Sequence, residues 1–399
     1  MLKNKSLLYL LSITSLQFFI QGIWSMTLGL VLNNNGMGNS IRAVFFLLGL
    51  ATIISPLIIG YISDRLSSPK IILSLLHFFN AINMVGLYLS FIYNKPILII
   101  MFIFIAGLLF YPTTALVNSL TFQNVNSDSL FPIIRSFGTI GFMLSGFLMG
   151  IYNIESNFIL FLFASAFSLV ISIMAFIAPF KHNELQVQGA TSIFKSIKDV
   201  FSLIKEKKAI PYFTCALFMM VSQLSYTAYM PVYLYETGFD NPSILMQVAV
   251  ISELIFMMVL PLVIKKVKIE SLMLLGTLTY ALRSLITLNL HDASYYFVIL
   301  TLFLQGFSWV MFFIVFDIFI KKISLEHNQH QMQSLKVIFI NGLGVSIASL
   351  ICGYAFNNLN DVIQDERWAS FWMLPLVISV GSFLIILFNR KSLDKRRMF

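Results

Sequence analysis

Four ionisable residues stand within apolar segments of this chain, where a charge is costly and is kept only for a reason. They are Arg135, Glu253, Arg283 and Asp317. A guanidinium stays protonated in proteins, so burial cannot neutralise Arg135. At the centre of a bilayer an arginine costs about 3 to 17 kcal/mol, depending on the method of measurement. Such a residue persists where it faces a wet cavity, a counter-charge or a polar ligand. We therefore predict that Arg135 lines a binding cavity.

Proton exchange inside an apolar segment needs a group that can gain and lose a proton, and the carboxyl of Glu253 is the best-placed candidate. Burial favours the neutral form of a carboxyl, whereas a nearby cation favours the ionised form. We predict that Glu253 is a proton-coupling group. Asp317 fits a gate or a helix-end pair better than substrate contact, and it is the next candidate for proton coupling. Arg283 has no comparably placed acid, so a structural and a functional role are both open.

The composition identifies the class of protein that must position these charges. Hydrophobic residues make up 58% of the 399 residues and charged residues 11%, whereas about a quarter of the residues of a soluble domain are charged. The sequence excludes a single soluble core and predicts an all-α membrane protein. A transmembrane span needs about 20 residues. Turn-forming or charged residues separate twelve candidate spans. They lie near 6–32, 41–62, 71–92, 97–122, 130–152, 157–180, 209–235, 242–264, 271–290, 294–320, 334–356 and 367–389.

A polar, charged stretch at 181–208 divides the twelve predicted helices into two sets of six. We predict an N-terminal six-helix bundle at 1–180, a cytoplasmic linker at 181–208, and a C-terminal six-helix bundle at 209–399 with a short cytoplasmic tail. The linker contains a short amphipathic stretch at 192–201. Such a stretch is typical of a segment that lies on a membrane surface.

The basic residues predict the orientation of the chain, because short cytoplasmic loops are enriched in Lys and Arg. If both termini are cytoplasmic, 21 of the 26 basic residues fall on the cytoplasmic side. The formal net charge of +9 is therefore a topology signal and does not indicate a nucleic-acid partner. We expect a multi-pass protein of a bacterial-type cytoplasmic (inner) membrane with both ends inside.

The loop between the second and third predicted spans reads GYISDRLSSPK at 60–70. Gly60 allows two helices to approach closely, Asp64 can pair with a helix end or a base, and Arg65 and Lys70 mark the cytoplasmic face. This loop resembles the signature loop of the major facilitator superfamily. With the two sets of six spans and the central linker, the resemblance implies the major facilitator fold and a gating role for the loop.

Several segments resemble the nucleoside:proton symporters of that superfamily. The most specific of them is FPIIRSFGTIGF at 131–142. Weaker matches are Leu16, Gln17, Phe18, Gly22, Trp24, Thr27, Leu28 and Gly29 in span 1, His77 in span 3, Pro112, Thr113, Leu116 and Asn118 in span 4, Ile251, Ser252 and Glu253 in span 8, Leu282 and Arg283 in span 9, and Asn341, Gly342 and Gly344 in span 11. The matches cover most of the chain outside the linker and the tail.

The resemblance implies that Arg135, Thr139, Phe142 and Glu253 line the nucleoside site. Since spans 5 and 8 face each other in this superfamily, it also implies that Glu253 and Arg135 form a proton-coupling pair, with a static structural ion pair as the alternative. The chain departs from the family pattern where a glutamine and an aspartate are expected and Val250 and Val310 stand instead. The amides of span 7 are also replaced. Since these losses remove hydrogen-bond partners for a base or a ribose, they predict altered selectivity.

Other candidates for substrate contact are polar or aromatic residues in the spans that line the cavity in this superfamily. They are Gln21, Trp24, Asn118, Gln223 and Thr227. For Gln21 and Asn118, a hydrogen bond between helices is an equally good interpretation. For Trp24, packing is the alternative, because 15% of the residues are aromatic.

These patterns favour a secondary transporter, a proton symporter of nucleosides or a similar polar, ring-bearing solute that works by alternating access. The alternatives are a major facilitator exporter of a metabolite or drug and an importer of a sugar-like solute. A membrane enzyme would need clustered catalytic groups within the spans, and a sensor would be expected to carry an added soluble domain; the sequence shows neither feature. We expect no cofactor and no metal. The expected partners are the solute, a proton and the lipid bilayer, and the protein is expected to be a monomer.

The orientation can be tested by labelling single cysteines from outside in a variant that lacks Cys215 and Cys352. Because 21 of 26 basic residues are assigned to the cytoplasmic side, a cysteine at Ser192 should stay unlabelled in sealed cells. Cysteines at Asn34 and Asn357 should react with the same impermeant reagent. Labelling at position 192 in sealed cells would overturn the predicted orientation.

Overall fold

The computed structural model describes residues 2–63, 68–124, 130–180, 209–290, 295–324, 329–358 and 364–390. The chain divides into two compact units. One comprises Met1–Ala190 with Phe239–Ile244, and the other comprises Thr191–Gly238 with Leu245–Phe399. The predicted linker at 181–208 lies outside the described residues, so its cytoplasmic position stays a prediction.

The first unit is built from long helices joined by short turns. These are α1 (Leu2–Ser25), α2 (Leu28–Asn34), α3 (Ile41–Ser63), α4 (Pro69–Ile92), α5 (Pro96–Asn124), α6 (Leu130–Ile151) and α7 (Leu160–Ile177), with a 3₁₀ turn at Gly38–Ser40. Helix α4 begins with Pro69 in its first turn, where the missing N–H of proline costs no hydrogen bond.

The second unit has longer helical runs that are interrupted by π-helical segments. Its elements are α8 (Ile210–Leu224), a π segment (Ser225–Tyr229), α9 (Met230–Glu236), α10 (Pro242–Val263), α11 (Ile269–Thr287), α12 (Tyr295–Trp309), a π segment (Val310–Ile314), α13 (Val315–Ile323), α14 (Gln329–Lys336), a π segment (Val337–Gly344), α15 (Val345–Asn358) and α16 (Gln364–Asn389).

Eleven helices in the described part of the chain are long and apolar enough to cross a membrane. The predicted span at 209–235 is not one of these eleven, although a π segment joins α8 to α9 in one helical run. Pro231 follows this segment closely and cannot donate a backbone hydrogen bond. A locally widened helix accommodates such a residue without ending the helical run. The helical path nevertheless continues from Ile210 to Glu236, as the hydropathy of the sequence predicts.

Small residues allow helices α1 and α6 to approach each other closely. A Cβ atom on Gly141 would lie 2.1 Å from the carbonyl oxygen of Ser15, and one on Gly22 would lie 2.9 Å from the carbonyl oxygen of Phe142. Within a membrane, van der Waals packing of this kind must replace the hydrophobic effect, which gives little drive when lipid is as apolar as the side chains.

Serine and asparagine side chains join α4 to α7. Ser74 donates to the carbonyl oxygen of Ser172 at 2.8 Å, and Ser172 donates to that of Ser74 at the same distance. Further along the same two helices, Asn80 of α4 donates to the hydroxyl of Ser168 of α7 at 3.0 Å. These bonds fix the two helices in register, because a buried donor left unpaired in an apolar medium is costly.

The first turn of α10 packs within the first unit through Glu155, which lies in the turn between α6 and α7. The Glu155 carboxylate accepts a hydrogen bond from the backbone N–H of Ser243 at 2.7 Å. An anion is stabilised at this position by the partial positive charge of a helix N-terminus. Burial raises the pKa of the Glu155 carboxyl, and its hydrogen bonds with Ser243 oppose that rise.

The close contact between α1 and α6 predicts the effect of adding one methyl group. Gly141→Ala should lower the free energy of unfolding by about 1 to 3 kcal/mol, since the new Cβ meets backbone that cannot move aside. Thermal unfolding in detergent should therefore show a lower midpoint for this variant.

The matched control is Gly381→Ala, since a Cβ at this helical glycine meets nothing within 4 Å. It should leave the midpoint unchanged or raise it slightly, because alanine favours helix by about 1 kcal/mol over glycine. Equal midpoints for the two variants would contradict the close packing of α1 on α6.

Candidate functional site

Arg135 lies on α6 with an exposed side chain that stacks on an aromatic ring of α1. Its guanidinium carbon lies 4.1 Å from the centre of the Phe18 ring. Gly138, three residues further along α6, leaves room for this ring, since a Cβ there would lie 2.6 Å from Phe18. A cation over a ring gains about 0.5 to 2 kcal/mol, more when water is excluded. Phe18 therefore orients the guanidinium.

Thr139 and Phe142 are half-buried and follow Arg135 on the same helix. Their spacing of four and seven residues from Arg135 places all three on one face of α6. The sequence-predicted set on this helix is thus brought together as one stripe, which combines a cation, a hydroxyl and a ring. Such a stripe suits a solute with both polar groups and a planar face.

The remaining candidates of the first unit divide into half-buried and buried residues. Gln21 and Asn118 are half-buried. Trp24 is fully buried and contacts the Phe110 ring edge-on at 6.0 Å, and His77 contacts the same ring at 6.0 Å. This placement favours packing as the role of Trp24. Its indole nitrogen and both nitrogens of His77 have no hydrogen-bond partner within the described residues.

Gln17 forms a polar link between α1 and α5 that the sequence interpretation did not single out. Its amide nitrogen donates to the hydroxyls of Thr113 at 2.8 Å and Thr114 at 3.1 Å. The signal was present in the sequence, because Gln17 and Thr113 belong to the segments that resemble the symporter family. Spacing alone cannot tell such a bond between helices from a ligand contact.

In the second unit, Glu253 is half-buried on α10, and its backbone is held against α12. A Cβ on Gly306 would lie 2.5 Å from the backbone nitrogen of Glu253, so only glycine permits this approach. The adjacent Ser252 donates to the carbonyl oxygen of Phe303 at 2.6 Å. The Glu253 carboxyl also interacts electrostatically with Tyr226 and Tyr280. Close packing thus fixes the backbone that carries this carboxyl.

Gln223 and Thr227 are half-buried and lie one turn apart on the run from α8 into its π segment. The Thr227 hydroxyl donates to the carbonyl oxygen of Gln223 at 3.2 Å. The side-chain oxygen of Gln223 accepts from the Tyr280 hydroxyl at 2.9 Å and from the amide of Gln305 at 2.8 Å. Gln223 therefore shares one polar cluster with two residues that the sequence interpretation did not select.

Arg283 lies at the buried end of this cluster and is fully enclosed. It donates to the side-chain oxygen of Gln305 and to the carbonyl oxygen of Ser222, the latter at 3.1 Å. The rings of Tyr280 and Tyr226 lie 5.3 and 5.7 Å from its guanidinium carbon. The positive charge is thus held by carbonyl dipoles and ring faces, with no carboxylate within ion-pair distance in the described part of the chain.

Asp317 forms an ion pair with Lys336, in which the two side-chain atoms lie 2.7 Å apart. The pair joins α13 to the last turn of α14. The Asp317 side chain is 35% exposed, so water screens this interaction and it contributes about 1 kcal/mol or less to stability. This geometry agrees with a helix-end pair, one of the two roles expected for Asp317.

The signature loop can be placed only in part. Gly60 lies within α3, while Asp64 and Arg65 lie outside the described residues. The Lys70 ammonium donates to the carbonyl oxygen of Ala178, at the end of α7, at 3.3 Å. A cation is favoured there because the C-terminal carbonyl groups of a helix carry partial negative charge. The gating role of the loop stays a prediction.

The two valines that depart from the family pattern occupy different environments. Val250 is half-buried on α10, one turn before Glu253. Val310 is fully buried at the start of a π segment. A polar group at position 310 would be enclosed by protein, whereas one at position 250 would be partly accessible.

Within the described residues, no three His, Cys, Asp or Glu side chains lie close enough together to hold a metal ion.

Comparison with known sequences identifies relatives along nearly the whole chain. The putative nucleoside transporter YegT of Escherichia coli (strain K12) is 26% identical over 397 residues, which cover 94% of this chain and 92% of the relative. The xanthosine permease of the same organism is 25% identical over 396 residues, with the same coverage. The nucleoside permease NupG of that strain is 22% identical over 385 residues, which cover 90% of each chain.

Solved structures agree with the fold. A crystal structure of the nucleoside transporter NupG matches with a TM-score of 0.83 and 21% identity over 98% of this chain and all of the other. A mutant of the same transporter matches with a TM-score of 0.86, and a D-xylose-proton symporter with 0.68 at 13% identity. At this identity the likeness establishes the fold alone, and the expected major facilitator fold is confirmed.

The model of one protein family, described as nucleoside H+ symporter, matches residues 4–394. The match covers both structural units and includes the stripe of Arg135, Thr139 and Phe142 as well as Glu253. It confirms the resemblance that the sequence motifs indicated. This multi-pass membrane protein therefore belongs to the nucleoside H+ symporter family.

Proposed function

We propose that the protein couples uptake of a nucleoside, or of a similar polar ring-bearing solute, to entry of a proton by alternating access. The observation that carries this proposal is the position of Glu253, a half-buried carboxyl on a span whose backbone packs closely against α12. A carboxyl in such a place can exchange a proton, and ionisable groups within spans usually mark solute or proton paths. Membership of the symporter family and the names of the relatives support the same reaction.

The proposed coupling depends on what the solute does to the charge near Glu253. Arg135 favours the ionised form of the carboxyl when it is close by. A solute that engages Arg135 weakens this support, so the affinity of Glu253 for a proton rises as the solute binds. Linkage requires that protonation change solute affinity by the same factor. Binding of the solute and binding of the proton are thus coupled through linkage alone.

The remaining assignments follow from the same proposal. Thr139 and Phe142 contact the solute from the face of α6, and Gln223 and Thr227 contact it from the second unit, with Gln21, Asn118 and Trp24 as further candidates. Gly60, Asp64, Arg65 and Lys70 form the gating loop. The protein acts as a monomer in a bacterial-type inner membrane with both termini in the cytoplasm. It catalyses no chemical reaction and needs no cofactor.

Transport measurements in proteoliposomes test the coupling role of Glu253. Glu253→Gln should abolish accumulation driven by a pH gradient while keeping solute exchange, since the amide can bind solute but cannot carry a proton. Arg135→Ala should weaken binding itself by about ten- to a hundredfold, because a hydrogen bond to a charged group contributes about 1.5 to 3 kcal/mol.

The comparison variant is Asp317→Asn, whose parent carboxylate pairs with Lys336. Asp317 becomes the coupling group if Glu253→Gln still accumulates solute with unchanged pH dependence and Asp317→Asn does not. A panel of nucleosides, sugars, amino acids and peptides in the same vesicles distinguishes the nucleoside proposal from import of a sugar-like solute. Outward movement against a gradient would favour the exporter.

A single substitution tests whether the altered selectivity arises at Val250. Val250→Gln restores the amide expected three residues before Glu253, on the same face of α10, and should strengthen nucleoside binding by about three- to tenfold. Val248→Gln is the matched control, because two residues along a helix turn the side chain by about 200°. Equal effects of both substitutions on nucleoside binding would contradict a role of position 250 in the site.

A further inference from the structure

The buried cluster of the second unit has a property that follows from the chemistry of its members. Arg283 has five N–H donors and no acceptor, and it keeps its proton at all accessible pH values. Whatever group faces its fork must therefore present an oxygen. In the structure one nitrogen donates to the side-chain oxygen of Gln305 and another to the carbonyl oxygen of Ser222. Arg283 thus fixes which end of the Gln305 amide points towards it.

The orientation of the Gln305 amide in turn fixes the orientation of the Gln223 amide. With its oxygen turned to Arg283, its amide nitrogen is left to face Gln223, and it donates to the Gln223 oxygen at 2.8 Å. The Gln305 side chain is almost fully buried, so water cannot substitute for either bond. The assignment of oxygen and nitrogen does not depend on choosing between two similar atoms, because the reverse arrangement would put two donors together at Arg283.

The side-chain oxygen of Gln223 already accepts two hydrogen bonds. That oxygen accepts from Gln305 and, at 2.9 Å, from the Tyr280 hydroxyl, so both of its lone pairs are used. What Gln223 has left is its NH₂ group, and no described residue accepts a hydrogen bond from it. The side chain is half-buried, as is Thr227 one turn away, while the intervening Leu224, Ser225 and Tyr226 are buried. This face of the helix is therefore the accessible one.

We infer that Arg283 and Gln305 are positioning residues that fix Gln223 as a hydrogen-bond donor, so that the solute site selects an acceptor such as a base carbonyl over an amino group. This inference rests on the proposed function, since it needs Gln223 to contact a nucleoside. Glu253 lies on a helix that packs against the helix of Gln305, since a Cβ on Gly306 would lie 2.5 Å from the Glu253 backbone nitrogen. The fixed amide and the proposed proton site consequently belong to one part of the second unit.

Nucleosides offer two matched pairs that differ mainly at the relevant edge. Uridine carries a carbonyl oxygen where cytidine carries an amino group, and inosine differs from adenosine in the same way at its six-membered ring. A fixed NH₂ group donates a hydrogen bond to the carbonyl oxygen, whereas an amino group in its place would put two donors face to face. Wild type should therefore bind uridine over cytidine, and inosine over adenosine, by about tenfold in equilibrium binding to the purified protein.

Gln305→Glu is the decisive variant, because it keeps the size and shape of the side chain while removing its N–H donors. The carboxylate still accepts from Arg283, but it can only accept from Gln223 as well. Gln223 must then turn its NH₂ group inward, where Tyr280 can also accept, and present its oxygen to the solute. The preference should invert, so that cytidine and adenosine bind better than uridine and inosine.

Two control variants separate this orientation from a merely structural role. Gln305→Met keeps the volume but cannot hold Gln223 either way, so both binding ratios should fall towards one. Asn80→Asp makes the same change from amide to acid at a buried residue that bonds Ser168 in the first unit. It should leave both ratios at the wild-type value even if it lowers the unfolding temperature.

The outcomes are distinguishable. Inverted ratios in Gln305→Glu with wild-type ratios in Asn80→Asp support the inference. Nucleoside binding with ratios near one in wild type, or with ratios unchanged in Gln305→Glu, overturns the inference and leaves the proposed function intact. If wild type binds none of the four nucleosides but transports another solute, the nucleoside assignment fails and this inference fails with it.

Discussion

The structure depends on one constraint, the absence of water as a hydrogen-bond partner in the hydrocarbon core of a bilayer. Every backbone N–H and C=O group there must be bonded within its own segment or by neighbouring protein. Long helices meet this demand, and the described part of the first unit meets it almost throughout. The second unit departs from it in the π-helical segments Ser225–Tyr229, Val310–Ile314 and Val337–Gly344. Departures of this kind are tolerated where protein surrounds the backbone, and they are frequent at functional sites.

The π segments lie next to the polar cluster that we assign to the site. Tyr226 belongs to the first of them, and Gln305 lies about one turn before the second. A widened turn changes the direction in which the following side chains point, so it can bring polar groups from α8, α11 and α12 to a common place. The cluster in turn satisfies the polar groups that the altered helix would otherwise leave unpaired. Irregular backbone and buried polarity thus support each other in this unit.

The sequence predicted the helices well because their length and hydropathy follow directly from the thickness of the bilayer. It also singled out Arg135 and Glu253 as candidates, since a charge within a span is conspicuous. It did not identify Gln305, because a lone amide in an apolar helix looks the same whether it joins helices or orders a site. The interruption near Pro231 was equally hidden, because hydropathy reports whether a segment is apolar and carries little information on the hydrogen-bond pattern of its backbone.

The two intramembrane arginines illustrate why burial decides the role of a fixed charge. Arg283 is enclosed, and its fork is occupied by Gln305 and Ser222, so a solute cannot reach it. Its charge acts equally on the loaded and the empty protein, and a constant contribution cannot couple one binding event to another.

Arg135 differs because its side chain is exposed and rests on the Phe18 ring. In the proposed mechanism its interactions change when a solute binds, and this change alters the proton affinity of Glu253. Arg283 has the different role of fixing the geometry of the polar cluster. Selectivity and coupling are thus assigned to different arginines, because only an accessible charge can respond to a solute.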